Sequence, residues 1–322
     1  MRKKIFFIVF AIVLLTLIIF PVSIFRSLNN SVSDEQEQIE FVIKDGESLI
    51  EISTNLKNSG LITDRLPFLI YFKVRRLYAQ SGEYLLSRNL SAKSIADILS
   101  SGQTRVVKVT IPEGYRIEQI AKKFSDTGVI KYDDFIQKAS GNEGYLFPDT
   151  YFIHSNSTAE EVIEEMKNNF TDRTLNLDIN EKIIKLASIV EREAKLDIDR
   201  PKIAAVYQNR LNHNIKLEAD PTVQYGKDTL EFFALPTDKK TEFSFWGKIT
   251  FADYKRVNSN FNTYLYYDLP PTAICNPGLK SIIAAADPVI HDYYYFLQTP
   301  DGTTYYARTV AEHEINKEKY LK

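Results

Sequence analysis

The sequence predicts an α+β protein: an N-terminal transmembrane helix, then an αβ region built on a repeated strand-turn-helix unit, then a mixed αβ domain to the end of the chain. Three observations carry that expectation. A run of 21 residues from Ile5 to Phe25 contains no charge and directly follows Arg2, Lys3 and Lys4. The segments beginning at Val42 and Thr110 resemble each other. Near Gly141, helical spacing gives way to GNEGYLFPDTYFI, where turn formers sit among aromatics.

At about 1.5 Å per helical residue the apolar run spans the roughly 30 Å hydrocarbon core of a bilayer. Phe20, Pro21 and the bulky Ile24-Phe25 replace the small-x-small pattern of a cleaved leader, so an uncleaved anchor over residues 5–25 is expected, in contact with lipid. Basic residues ahead of it, and Asp34, Glu35, Glu37 and Glu40 behind it, place residues 1–4 in the cytoplasm. The rest of the chain is then extracytoplasmic, attached to the cell (inner) membrane by a single pass. Residues 26–40 are polar apart from Leu28, Val32 and Ile39 and suit a solvated linker. Lys and Arg total 40 against 42 Asp and Glu, a net charge of -2, which gives polyanions no general attraction and excludes nucleic acid as a partner. The single cysteine, Cys275, cannot form an internal disulfide and reads as a small buried residue. His154, His213, His291 and His313 lack metal-site spacing, so neither a metal nor a cofactor is expected.

Folded structure is expected from Phe41. VIKDGESLIEISTNLKNSGLI aligns with TIPEGYRIEQIAKKFSDTGVI, pairing Gly46 with Gly114, Ile52 with Ile120, Leu56 with Phe124, Gly60 with Gly128 and Ile62 with Ile130. Each copy reads as strand, tight turn, amphipathic helix and glycine cap. SAKSIADILSSGQ repeats the helix-plus-glycine ending. This grammar, over residues 41–140, resembles a LysM module, a small fold that binds N-acetylglucosamine-containing glycans. That resemblance implies a wall-facing role for the region.

From Glu181 to Ala194, Ile183, Ile184, Leu186, Ala187, Val190 and Ala194 fall on one helical stripe. Glu191 and Glu193 occupy its opposite shoulders, about 160° apart at 100° per residue, and cannot easily face one bond together. Partial burial on a shoulder raises the pKa of a carboxylic acid, as a proton donor near neutral pH requires. Periodicity alone leaves the two glutamates equal.

The motifs around them break the tie. ASIVEREA is followed in order by IAAVYQNRL, LEADPTVQYG, FNTY and DLPPTAICNPGLKSIIAAADP, and preceded by EGYLFPDTY. This set resembles the MltG-type (YceG-like) endolytic murein transglycosylases along essentially the whole chain. The resemblance implies that residues 141–322 form a catalytic domain with Glu191 as the catalytic acid and Glu193 as a structural carboxylate, paired with an arginine. It implies cleavage of the β-1,4 bond between N-acetylmuramic acid and N-acetylglucosamine in peptidoglycan glycan strands, leaving 1,6-anhydro ends. One carboxyl suffices, because the nucleophile is the 6-hydroxyl of the substrate. Peptidoglycan synthases of the elongation or division machinery are the implied neighbours.

Asp220, Thr222 and Tyr225, with Asn262, Thr263 and Tyr264, are the implied substrate-binding groups, and Asn276 before Pro277-Gly278 a turn residue at the cleft edge. Two other readings stay open: a non-catalytic peptidoglycan-binding scaffold, and a water-using muramidase whose second carboxylate would be Glu143, Asp149 or Asp220. The chain departs from the family pattern at Asp268 and Thr272, where relatives usually carry glycine, and at Thr304, where histidine is common. A TPDG hairpin and a Thr309/Glu312 capping box opening a last helix, with His313 packed on it, complete the chain.

Overall fold

The computed structural model describes residues 19–34, 38–102 and 104–321. Most of the expected anchor, residues 5–18, lies outside them. Residues 19–29 are helical, and no helix among the described residues is long and apolar enough to cross a membrane. The chain divides into two compact units, residues 1–107 with 152–157, and residues 108–151 with 158–322.

In the first unit, β1 (Gln38–Ile43) and β2 (Gly82–Ser87) pair antiparallel, from Gln38 opposite Ser87 to Ile43 opposite Gly82. Between them lie α1 (Leu49–Asn58) and α2 (Arg65–Arg75), and α3 (Ala92–Ser101) follows. Ser48 opens α1 with a capping box: its hydroxyl accepts from Glu51 N–H at 3.3 Å, and the Glu51 carboxylate accepts from Ser48 N–H at 2.9 Å. Ile52, Leu56, Phe68, Phe72, Tyr84 and Leu99 close a core over the strand pair. The linker is not a free tether. Ser31 bridges to Ser91, Val32 N–H donates to the Arg88 carbonyl at 3.1 Å, and Leu28 packs against the core, because its few apolar residues find apolar surface here.

The repeat is structural. β3 (Val106–Thr110), α4 (Ile117–Ser125), α5 (Tyr132–Ala139) and β4 (Thr150–His154) reproduce the strand-helix-helix-strand order, and β3 pairs with β4. Gly46 and Gly114 share a left-handed turn at φ +76° and +77°, and Gly60 and Gly128 cap the first helices at +68° and +76°. The second copy therefore closes at His154, beyond the expected boundary at residue 140, and GNEGYLFPDTYFI supplies its last strand. Its helices belong to the same compact unit as Glu191, because Arg116, the residue before α4, is fully buried under the Tyr225 and Phe245 rings.

The second unit continues through α6 (Ala159–Thr174), α7 (Glu181–Glu193), a 3-10 turn (Asp197–Asp199), α8 (Arg200–Asn212), α9 (Asp220–Ala234) and α10 (Leu279–Ala286). Helix α7 packs against α8 and α10 through the stripe expected from its sequence, with Ile184, Ala187 and Val190 each no more than 1% exposed. The hairpin of β5 (Tyr295–Gln298) and β6 (Thr304–Ala307) turns at TPDG, and α11 (Val310–Tyr320) is capped by Thr309. The return bond from Glu312 goes to Arg308 N–H at 2.7 Å, one residue before the expected cap. His313 stacks on Tyr295 and burial lowers its pKa.

The two turn glycines differ in their surroundings. A Cβ at Gly46 meets nothing within 4 Å, whereas one at Gly114 lies 3.2 Å from Arg192 Nη1 and 3.5 Å from Glu191 Cγ. Gly46→Ala is expected to cost about 1 kcal/mol from backbone strain alone, and Gly114→Ala more; urea unfolding of the two variants side by side checks the order.

Candidate active site

Asn180 starts α7 by accepting from Ile183 N–H at 3.1 Å, and its last turn presents the two glutamates. They face different surroundings, as their 200° separation requires. Glu191 Oε1 lies 3.2 Å from Arg200 Nη1, and its Oε2 accepts from Gly278 N–H at 3.0 Å. Arg200, the first residue of α8, also bonds Ser281 on α10 and Asp197 in the 3-10 turn. Asp197 also pairs with Lys280, and these two side chains are 54% and 65% exposed, so the Glu191 side opens on a solvated, charged rim.

Glu193 instead meets the Tyr207 hydroxyl at 2.9 Å and the start of α9 at Asp220. Among the described residues no arginine pairs with it, contrary to expectation: the hydroxyl and the Asp220 N–H occupy that place. Burial pushes its carboxyl up to about 7, against the Tyr207 hydrogen bond.

The residues expected to grip substrate bond or pack against one another and their neighbours. Asp220 accepts from Tyr264 Oη at 2.7 Å and Tyr254 Oη at 3.3 Å. Thr222 and Thr263 bond each other at 2.8 Å, and both are buried. Asn262 is fully buried, donating to the Val257 carbonyl at 2.9 Å and accepting from Tyr264 N–H at 3.0 Å. Tyr225 lies under the Arg116 guanidinium, 4.0 Å from ring centroid to Cζ. Asn276 is fully buried as well. Its oxygen accepts from Gly144 and Leu146 N–H, both at 2.9 Å, and its amide donates to the Tyr115 carbonyl and to Glu143 Oε1 at 2.7 Å. It is a hub between loops. Each of these amides and hydroxyls reads locally as a sugar-binding group, and only the fold shows that those of Thr222, Asn262, Thr263, Tyr264 and Asn276 already have partners.

The other carboxylates weighed beside Glu191 are also engaged. Glu143 holds Asn276 and accepts from Ile117 N–H, and burial followed by the charge of Glu118 pushes it up to about 8, against Arg116. Asp149 is bound by Arg173 at 2.8 Å and Asn169 at 3.1 Å. Burial raises the Cys275 thiol well above its ordinary range, which suits an inert residue. A cavity of about 510 Å³ lies beside Arg116, Glu143, Lys185 and Tyr225, and Glu191 is not among its lining residues.

Arg200, Arg192 and Trp246 escaped the sequence reading. Arg192 stacks on the Trp246 ring at 4.1 Å, and Trp246 Nε1 donates to Gln119 on α4 at 3.0 Å. An arginine between two helices carries no periodic signal; the one available hint was that Arg200 opens a helix just after the acids Asp197 and Asp199. Of the departures, Asp268 adopts φ +72°, a left-handed conformation that favours glycine. Thr272 bonds the Ala273 carbonyl, and Thr304 donates to Asp199 at 2.7 Å, steadying the residue before Arg200.

The arrangement defines an α+β protein with a single helix-borne carboxyl at a charged rim, suited to acid-base chemistry. The YceG-like family matches residues 41–319, and the chain belongs to that family. It is 30% identical over 326 residues to the endolytic murein transglycosylase of Bacillus subtilis (strain 168), covering 89% of this chain and 86% of that one. The endolytic murein transglycosylase of Streptococcus pneumoniae serotype 2 (strain D39) is 27% identical over 340 residues, covering 90% of this chain and 59% of the relative. A crystal structure of a YceG-like protein from Listeria monocytogenes superimposes with a TM-score of 0.55 at 29% identity, over 87% of this chain and 99% of that one.

Unfolded glutamates titrate near 4.5, so the raised folded values of Glu193, about 7, and Glu143, about 8, set a pH dependence. The stability they confer is complete below the unfolded value and is lost as pH rises through the folded ones. The urea midpoint is expected to fall between about pH 5 and pH 8. Glu193→Gln should flatten the part below about pH 7; an unchanged slope in the variant counts against the assignment.

Proposed function

We propose that the protein is a lytic transglycosylase, a lyase that cleaves the MurNAc-β-1,4-GlcNAc bond of peptidoglycan glycan strands, with Glu191 as general acid and base. The observation that carries this reading is the seating of Glu191 between Arg200 and the Gly278 N–H beside an exposed rim, while Glu143, Asp149 and Asp220 are held elsewhere. The endolytic murein transglycosylase names of its relatives agree with it. Glu191 protonates the departing glycosidic oxygen as the C1–O bond breaks. As carboxylate it then takes the proton of the muramic 6-hydroxyl, whose oxygen bonds C1 and closes the anhydro ring, so the acid is regenerated without water. Holding that hydroxyl beside C1 makes the attack intramolecular, worth a large effective concentration.

Asp220, Thr222, Tyr225, Asn262, Thr263, Tyr264 and Asn276 serve by keeping the walls of the cleft in place. The β1-α1-α2-β2 unit is a LysM-like module that meets glycan, a reading supported by its strand-helix-helix-strand order. Residues 5–25 anchor the protein in the membrane, which restricts cutting to nascent strands close to the synthases that make them.

The test is mass spectrometry of new chain ends after uncrosslinked glycan strands are incubated with the full chain in detergent. Anhydro-muramic ends are expected from the wild type, with Glu191→Gln reduced roughly 10²–10⁴-fold. Reducing ends would mean a water-using muramidase, and binding without cleavage a scaffold.

A further inference from the structure

The turn that opens the second repeat copy carries a carboxylate with no part in the chemistry above. Glu113 stands before Gly114, and a Cβ placed on residue 278 would collide with its carboxyl. Gly278 has an ordinary φ of -74°, so it is this close approach, and not backbone conformation, that calls for glycine there. The N–H of the same residue holds Glu191 Oε2 at 3.0 Å, and Gly114 in turn lies against the Glu191 side chain. The first repeat copy shows the contrast: Asp45 occupies the matching place, and its Gly46 faces open space.

We propose that Glu113 is a positioning residue for Glu191: wedged against Gly278, its carboxylate fixes the N–H that holds the acid and, as a like charge, keeps the proton on Glu191 until the glycosidic oxygen takes it. The proposal rests on the reading of Glu191 as the acid. It answers a chemical difficulty of the site. An arginine within ion-pair distance favours the carboxylate form of its partner, whereas a general acid must still carry its proton when substrate binds. Arg200 on α8 pairs with this carboxyl, Arg192 on α7 and Cys275 in the loop before α10 lie beside it, and Glu113 acts on it as a like charge, while Asp197 in the 3-10 turn and Lys280 on α10 act on Glu113. Cys275 is neutral and Asp197 is tied to Lys280 and Arg200, which leaves Glu113 as the anion set against the arginine. Glu113 is exposed as a residue, yet partial burial of its carboxyl and then the charge of Glu191 push it up, against Arg200 and Lys280.

The experiment is the pH profile of kcat/KM for release of anhydro ends by the full chain, comparing wild type, Glu113→Gln and Glu113→Asp. Glu113→Gln is expected to cleave at low pH but to lose activity on the alkaline side about one pH unit earlier, whereas Glu113→Asp, which keeps the charge, retains the wild-type limb. An unmoved limb in Glu113→Gln, or an equal displacement in Glu113→Asp, overturns the proposal. Loss at every pH in a folded Glu113→Gln overturns it too, since Glu113 would then take part in the chemistry itself. A wild type that releases no anhydro ends would sink the reading of Glu191 instead, so the two failures are distinct.

Discussion

The ion pair between Arg200 and Glu191 is the constraint on which the site depends. Their side chains are 10% and 7% exposed, and neither charge would rest there unpaired, because lost hydration costs several kcal/mol per ion. Arg200 divides its donors among Glu191, Asp197 and Ser281, while Glu191 spends its second oxygen on Gly278 N–H. One guanidinium thereby fixes the last turn of α7, the first turn of α8 and the start of α10 around a single carboxyl. A buried pair of this kind adds little stability over apolar packing of the same volume. What it contributes is position, holding the Glu191 carboxyl in one place between three helices.

A second, neutral network holds the loops that bring the rest of the site into register. Asn276 satisfies two backbone N–H groups, one carbonyl and one carboxylate, and so locks the segment around Gly144 to the loop leading into α10. Gly144 itself has φ +95°, and a Cβ there would press on Ile184 and Ala273, so the segment can approach α7 this closely only with glycine at that place. Tyr115 bridges to Asn276 as well, which ties the turn of Glu113 and Gly114 to the same loop. A repeat unit that in its first copy closes its own core is in its second copy built into the unit that carries Glu191. This is the physical reason the helices of the two copies belong to different compact units.

Local grammar was legible in the sequence. The stripe from Ile183 to Val190, the cap at Thr309, the paired glycines and the TPDG hairpin follow from periodicity, capping chemistry and positive φ, all properties of a few adjacent residues. Motif order was legible too, and it led to the family. Long-range partners were not. Thr222 and Thr263, or Asn276 and Glu143, meet across more than forty residues of chain, and their hydroxyl and amide groups look the same whether they wait for a sugar or already hold a neighbour. The end of the second repeat was missed for a related reason: aromatic and turn residues between Gly141 and Ile153 hide a short strand whose only sign is its pairing with β3.

The two glutamates of α7 show how environment separates residues that sequence leaves equal. A raised carboxyl pKa is the usual mark of a general acid, and by that mark alone Glu193 would be chosen, since burial lifts it to about 7. Its surroundings argue otherwise: Tyr207, which binds it, is 2% exposed, and Asp220 beyond is held by two tyrosines. The Glu193 carboxyl is already engaged within the protein, by the Tyr207 hydroxyl. Glu191 has the opposite setting, with Lys280 and Asp197 exposed beside it and a backbone N–H fixing one oxygen. Titration near neutrality and a seat beside exposed charges are separate properties, and in this chain desolvation supplies the first at Glu193. The second belongs to Glu191, seated between Arg200 and the Gly278 N–H next to the exposed Asp197–Lys280 pair.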